Sequence, residues 1–200
     1  MASLRELIRR KLSPKEWIDF LSEVRELPDR AVAIMTVATL EDALEELLLV
    51  RMLFNLSNRE KAALFEGEAP LARLSSRTRL AFALGLIGQK TRRDLDRVRE
   101  IRNAFAHARQ AIAFTTPEIA HVCKHFELVE LNPYPEPDPC SKQKQLHEML
   151  AEARRTYKPV VAPRERFIYT ALFLGQRLVE ARTQYMMDEK LLLRPSHWVP

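Results

Sequence analysis

A chain of 200 residues with 46% hydrophobic content can bury the core of one domain, or of one domain with an appendage. Its 4 glycines and lack of period-two alternation argue against a strand-rich fold, and abundant Leu, Ala, Arg and Glu favour helix. A net charge of +5 suits a basic protein and leaves an anionic partner such as RNA, DNA or an acidic protein open.

The predicted elements follow one another with few gaps. Ser13-Pro14-Lys15-Glu16 combines a capping hydroxyl, a first-turn proline and a capping-box glutamate, which predicts a helix over about 14–26. Pro28 opens a segment to about 54, whose first half, AVAIMTVATL, is apolar nearly all round and reads as a buried central helix. Its second half, EDALEELLLVRML, is amphipathic. Ser57-Asn58-Arg59-Glu60 is a second capping box, opening a helix to about 65, and Gly67 and Pro70 then punctuate. The next helix runs from about 72 to 87 and stops at Gly88. Thr91 is the expected cap of a helix ending near Ala108, and Thr116-Pro117-Glu118 starts another to about 128.

NPYPEPDP, from Asn132 to Pro139, cannot be helical. Two further helices are expected over about 141–157 and 163–187. The last is apolar enough, through Phe167, Ile168, Leu172, Phe173, Leu174 and Leu178, to need a partner. The expected fold is all-α, a compact bundle of about eight helices. It is read as a single domain over 1–200, a core bundle of about 14–130 with a C-terminal hairpin of about 141–187 packed on it.

Compartment and cofactors follow from what is missing. Cys123 and Cys140 lack metal-site spacing, which predicts reduced thiols and a cytoplasmic setting. MASLRELIRRKL is amphipathic and lacks a signal-peptide core. The uncharged run Ala31 to Leu40 is about half the length needed to span a bilayer. No Gly-rich phosphate loop and no GxSxG nucleophile setting occur. His121 and His125 are spaced i, i+4, as zinc ligands can be, but a third ligand is missing, so neither metal nor small-molecule cofactor is expected.

The segment Ile101-Arg102-Asn103-Ala104-Phe105-Ala106-His107 carries the candidate chemistry. Arginine holds a phosphate or carboxylate through paired hydrogen bonds, and histidine moves protons near neutral pH. On a helical wheel Leu95, Val98, Ile101 and Phe105 share the core face, with Arg102 on its shoulder. Arg102 and His107 fall about 140° apart, too far to grip one phosphate from one straight helix. Either the helix unwinds before His107, or two copies meet across a two-fold axis. The structural alternative is an arginine paired with Glu41, Asp42, Glu45 or Glu46, whose like charges require a basic neighbour, and a histidine at a helix C-terminus. Residues 73–109 are strongly basic, and Arg73, Arg77, Arg93, Arg97 and Arg99 are the candidate nucleic-acid contacts. No aromatic residues interleave with them for base stacking.

Two segments together resemble a family. Pro70-Leu71-Ala72-Arg73-Leu74-Ser75-Ser76-Arg77-Thr78-Arg79-Leu80-Ala81-Phe82-Ala83-Leu84-Gly85-Leu86-Ile87 is followed by Leu95 to Phe114, with IRNAFAH and AIAF ahead of Thr116-Pro117-Glu118-Ile119. This combination resembles the mannitol operon repressor (MltR-like) family over roughly residues 70–120. The resemblance implies a cytoplasmic regulatory binding protein, controlling transcription through protein or nucleic-acid contacts. No helix-turn-helix or zinc-finger pattern accompanies it.

The R-N-x-x-x-H segment is also similar to the signature of HEPN domains, many of which are dimeric, metal-independent ribonucleases. That resemblance implies the alternative, a toxin-like endoribonuclease. His107 would then move the proton at the ribose 2′-hydroxyl or the leaving 5′-oxygen, Arg102 would stabilise phosphate charge, and Asn103 would orient the substrate. Either reading expects a homodimer.

Overall fold

Helix α1 (Asp29–Val50) is the axis of the molecule, and it buries Val32, Ala33, Thr36, Val37, Leu40, Leu44, Leu47 and Leu48. The computed structural model describes residues 23–52, 56–130, 152 and 160–191. The helices expected over 14–26 and 141–157 lie outside the described residues, apart from a terminal turn at 23–26 and residue 152. The axis is less buried than its composition suggests, because Ile34 and Met35 remain 43% and 40% exposed. Three neighbours cover α1 on its other sides, and the fourth side faces outward.

Helix α2 (Asn58–Phe65) begins with the expected capping box. The Ser57 amide donates to Glu60 Oε2 at 2.7 Å and the Glu60 amide donates to Ser57 Oγ at 3.4 Å, satisfying two N–H groups that have no partner inside the helix. The Ser57 hydrogen bonds hold the Glu60 carboxyl below its ordinary range.

Helix α3 (Leu74–Ala83) stops earlier than the sequence suggests. Gly85 takes φ +70°, a left-handed conformation that side chains with a Cβ resist. The Leu86 amide reaches back to the Ala81 carbonyl at 2.9 Å, closing the helix in the Schellman manner. Leu86 and Ile87 then turn into the core. Gly88, expected as the stop, is instead the N-cap of helix α4 (Gln89–His107). Thr91, expected as that cap, is buried inside the first turn.

Helix α5 (Pro117–Lys124) ends sooner than expected, with His125 as its C-cap, and a 3-10 turn follows at Leu128–Glu130. Helix α6 (Pro163–Leu191) is the longest element, 29 residues. It lays Phe167, Ile168, Ala171, Leu174 and Leu178 into the core, packing on α1, α4, α5 and the 3-10 turn.

An aromatic chain ties these elements together. Phe105 of α4 meets Phe114 at 4.9 Å between centroids, Phe114 meets Phe167 of α6 at 5.0 Å, and Phe126 lies 6.3 Å from Phe167. Each such tilted pair adds roughly 0.5–1.5 kcal/mol beyond area burial. The described residues form six α-helices, one 3-10 turn and no strand, an all-α bundle. Among them no helix is long and apolar enough to cross a membrane.

Candidate functional site at the end of helix α4

Helix α4 presents its core face through Leu95, Val98, Ile101 and Phe105, all essentially buried, as the wheel requires. It runs unbroken through His107, so local unwinding does not bring His107 round to Arg102. Arg102 Nη2 lies 2.9 Å from Glu41 Oε1 on α1, both side chains just over a quarter exposed. His107 projects to the opposite, exposed side, and Asn103 is half-buried between them. Within one subunit the guanidinium and the imidazole therefore form no common site.

His107 borders a shallow hollow of about 370 Å³ between the end of α4 and the start of α5. Ala104, Ala108, Ile112 and Ile119 give it an apolar floor, and His107, Gln110, Thr116 and Glu118 line the remainder. Thr116 Oγ1 is already engaged, accepting from the Ala113 amide at 3.0 Å. The hollow offers a seat for an apolar group beside an imidazole and a carboxylate. Among the described residues no three His, Cys, Asp or Glu side chains are grouped to hold a metal.

The acidic row on α1 is neutralised by three arginines from three helices. Glu41 takes Arg102, Glu45 takes Arg77 at 3.2 Å, and Glu46 takes Arg182 at 3.1 Å. Asp42 makes no ion pair among the described residues. Desolvation raises its carboxyl above the usual aspartate range, Arg77 opposing and the like charges of Glu41 and Glu46 assisting.

The arginines read as nucleic-acid contacts have other employment. Arg77 is buried and turned inward, donating to the carbonyls of Leu71, Glu41 and Phe65 at 2.7, 2.7 and 3.1 Å. It clamps α3 and the preceding loop to α1, and no phosphate can reach it. Arg97 pairs with Asp94 at 2.8 Å and Glu127 at 3.2 Å, and Arg93 reaches the same Glu127 at 3.4 Å. Arg99 lies 3.8 Å from Asp96. Of the five, Arg73 alone is exposed with no partner among the described residues.

A family model described as the mannitol repressor matches residues 30–176. The chain belongs to the mannitol repressor family. It is accordingly a mannitol-repressor-like regulatory protein. A solved structure, titled as the X-ray structure of the MtlR–HPr complex from Escherichia coli, aligns with a TM-score of 0.53 and 22% identity, covering 80% of this chain and 98% of that one. That likeness is one of fold. No curated protein sequence matches the chain.

In this mannitol repressor relative the strongest polar constructions are ones that motif reading passed over. Asp94 is fully buried and accepts from the amides of Glu127 and Leu128 at 3.0 and 2.8 Å, fixing the 3-10 turn to α4. Arg166, buried in α6, donates to the carbonyls of Cys123 at 2.8 Å and Phe126 at 3.2 Å, and so closes the C-terminal end of α5. Asp94 sits within the apolar stripe of its helix, a signal that marks a polar side chain as buried and paired, whereas Arg166 lies about 80° outside the stripe of its own and no such spacing marks it. Burial pushes the Cys123 thiol up to about 12, against the pull of Arg166.

Proposed function

We propose that this mannitol-repressor-family chain regulates a sugar-alcohol operon from the cytoplasm, as a homodimer, by binding a protein partner of the HPr kind rather than by gripping DNA or RNA itself. The observation that carries this reading is the internal use of the basic residues. Arg77, Arg93, Arg97, Arg99 and Arg102 all lie against carboxylates of the same chain. Nucleic-acid affinity comes mainly from unpaired cations displacing counterions at phosphates, and these five are not in that state. The solved structural relative is itself a complex with HPr, which supports a protein partner. The Arg102–Glu41 pair, turned away from His107, gives the ribonuclease alternative no assembled site in one subunit.

The test has three arms. Calorimetry with purified HPr is expected to give a saturable complex. Gel shifts with operator DNA at low salt are expected to show no discrete complex, and RNA incubated in EDTA is expected to stay intact. HPr that fails to bind, together with DNA retained at low salt, overturns the reading. RNA cleavage abolished by His107→Ala would establish the enzyme instead.

A further inference from the structure

The outward side of α1 carries a stripe that nothing among the described residues covers. Ala31, Ile34, Met35, Ala38 and Asp42 fall within about 100° of arc on the helix. Ile34 and Met35 are 43% and 40% exposed, Ala38 and Asp42 are exposed, and Ala31 is half-buried. The stripe is apolar and flanked by small residues that allow close helix approach. An aspartate closes its C-terminal end and Arg30 flanks its N-terminal end.

The charges at the two ends are the informative part. Glu41, Glu45 and Glu46 are each ion-paired to an arginine within the chain, whereas Asp42 on the stripe makes no ion pair among the described residues and feels Arg77 only at longer range. Arg30 faces no carboxylate among the described residues, and its Nη2 donates only to the Ala108 carbonyl at 3.0 Å. The stripe thus ends in an anion on one side and a cation on the other, neither ion-paired among the described residues.

We infer that this stripe is the surface on which a second copy of the chain docks, with two α1 helices antiparallel across a two-fold axis level with residue 36. That register sets Arg30 of one protomer against Asp42 of its partner, because the two residues lie equally far from position 36 on either side. It also sets Ile34 against Ala38 by the same symmetry, so a large side chain meets a small one twice. Antiparallel helices place opposite macrodipole ends together, which favours the arrangement further. The inference deepens the homodimer reading given above by naming its surface and register.

Sedimentation velocity on the full chain over a wide concentration range tests it, with thermal melts confirming that each variant is folded. The wild-type chain is expected to dimerise. Ile34→Asp is expected to weaken the dimer about tenfold or more, as is Asp42→Arg, which breaks no hydrogen bond or ion pair among the described residues. The double variant Arg30→Asp with Asp42→Arg is expected to return to within about threefold of wild type. A dimer whose strength ignores these changes overturns the surface and leaves self-association standing. A chain that stays monomeric at every concentration, as it would if residues 1–22 or another protein fill the stripe, overturns both. Neither result bears on HPr binding, which is measured separately.

Discussion

Arg102 Nη2 sits 2.9 Å from Glu41 Oε1, joining the shoulder of α4 to the middle of α1. The arginine of the R-N-x-x-x-H segment is thereby a helix-to-helix tie. Both side chains are just over a quarter exposed, so water screens the pair and its worth falls between that of surface and buried ion pairs. Glu41→Gln and Arg102→Ala are each expected to cost about 1 kcal/mol in urea unfolding, with a double-mutant cycle showing positive coupling. Glu45→Gln should leave that coupling unchanged, because Glu45 serves Arg77. Independent behaviour of Glu41 and Arg102 would refute the tie.

Asp94 is the polar group whose loss should hurt most. It is 0% exposed and accepts from two backbone amides and Arg97. Asp94→Ala strands those donors, and the expected loss is about 3 kcal/mol. Glu127, beside it, adds a pH dependence. Burial opposes ionisation there, but hydrogen bonds from Arg97 and Arg93 outweigh it and hold the carboxyl below its ordinary range. A depressed carboxyl contributes stability above its unfolded value of 4.5, and that stability fades as pH falls through the lower folded value. Melting curves of wild type and Glu127→Gln should therefore differ at neutral pH and converge toward acid. A constant gap across that range would count against the assignment.

Cys123 is expected to be inert in the folded chain. Burial raises its thiol from 9.0 to about 12, so the reactive thiolate is scarce near neutral pH. Mass spectrometry after iodoacetamide treatment at mildly alkaline pH should find Cys123 unmodified in native protein and alkylated in urea. The linked stability is whole below 9.0, and it declines as pH climbs from there toward about 12, because only the unfolded chain ionises readily. Rapid native alkylation of this residue would contradict its burial.

Gly85 occupies φ +70° with open space around the position of an added Cβ. Crowding is therefore absent, and the cost of a side chain is conformational. Gly85→Ala is expected to destabilise by about 1 kcal/mol and Gly85→Asn by less, since asparagine tolerates the left-handed region. Equal melting temperatures for glycine and alanine would mean that the turn adopts another conformation.

Much of the architecture was legible in the order of residues. Helix content, the Ser57–Glu60 capping box, the core face of α4 and the divergence of Arg102 from His107 follow from spacing alone, because a helix has fixed angular geometry and local caps involve neighbours in the chain. Where α3 and α5 end was less legible: Gly85 and Gly88 are equally good stop signals in isolation, and the burial of Leu86 and Ile87 selects the first. Which carboxylate takes Arg102 and which way Arg77 points depend on how the neighbouring helices pack around α1. Those contacts join residues 61 and 36 positions apart, and no local pattern encodes a distance that only packing creates. Charge counting reads residues 73–109 as a basic surface in part for the same reason: Asp94 and Asp96 stand three residues from Arg97 and Arg99 in the chain, but only the assembled bundle brings Glu41, Glu45 and Glu127 to Arg102, Arg77 and Arg93.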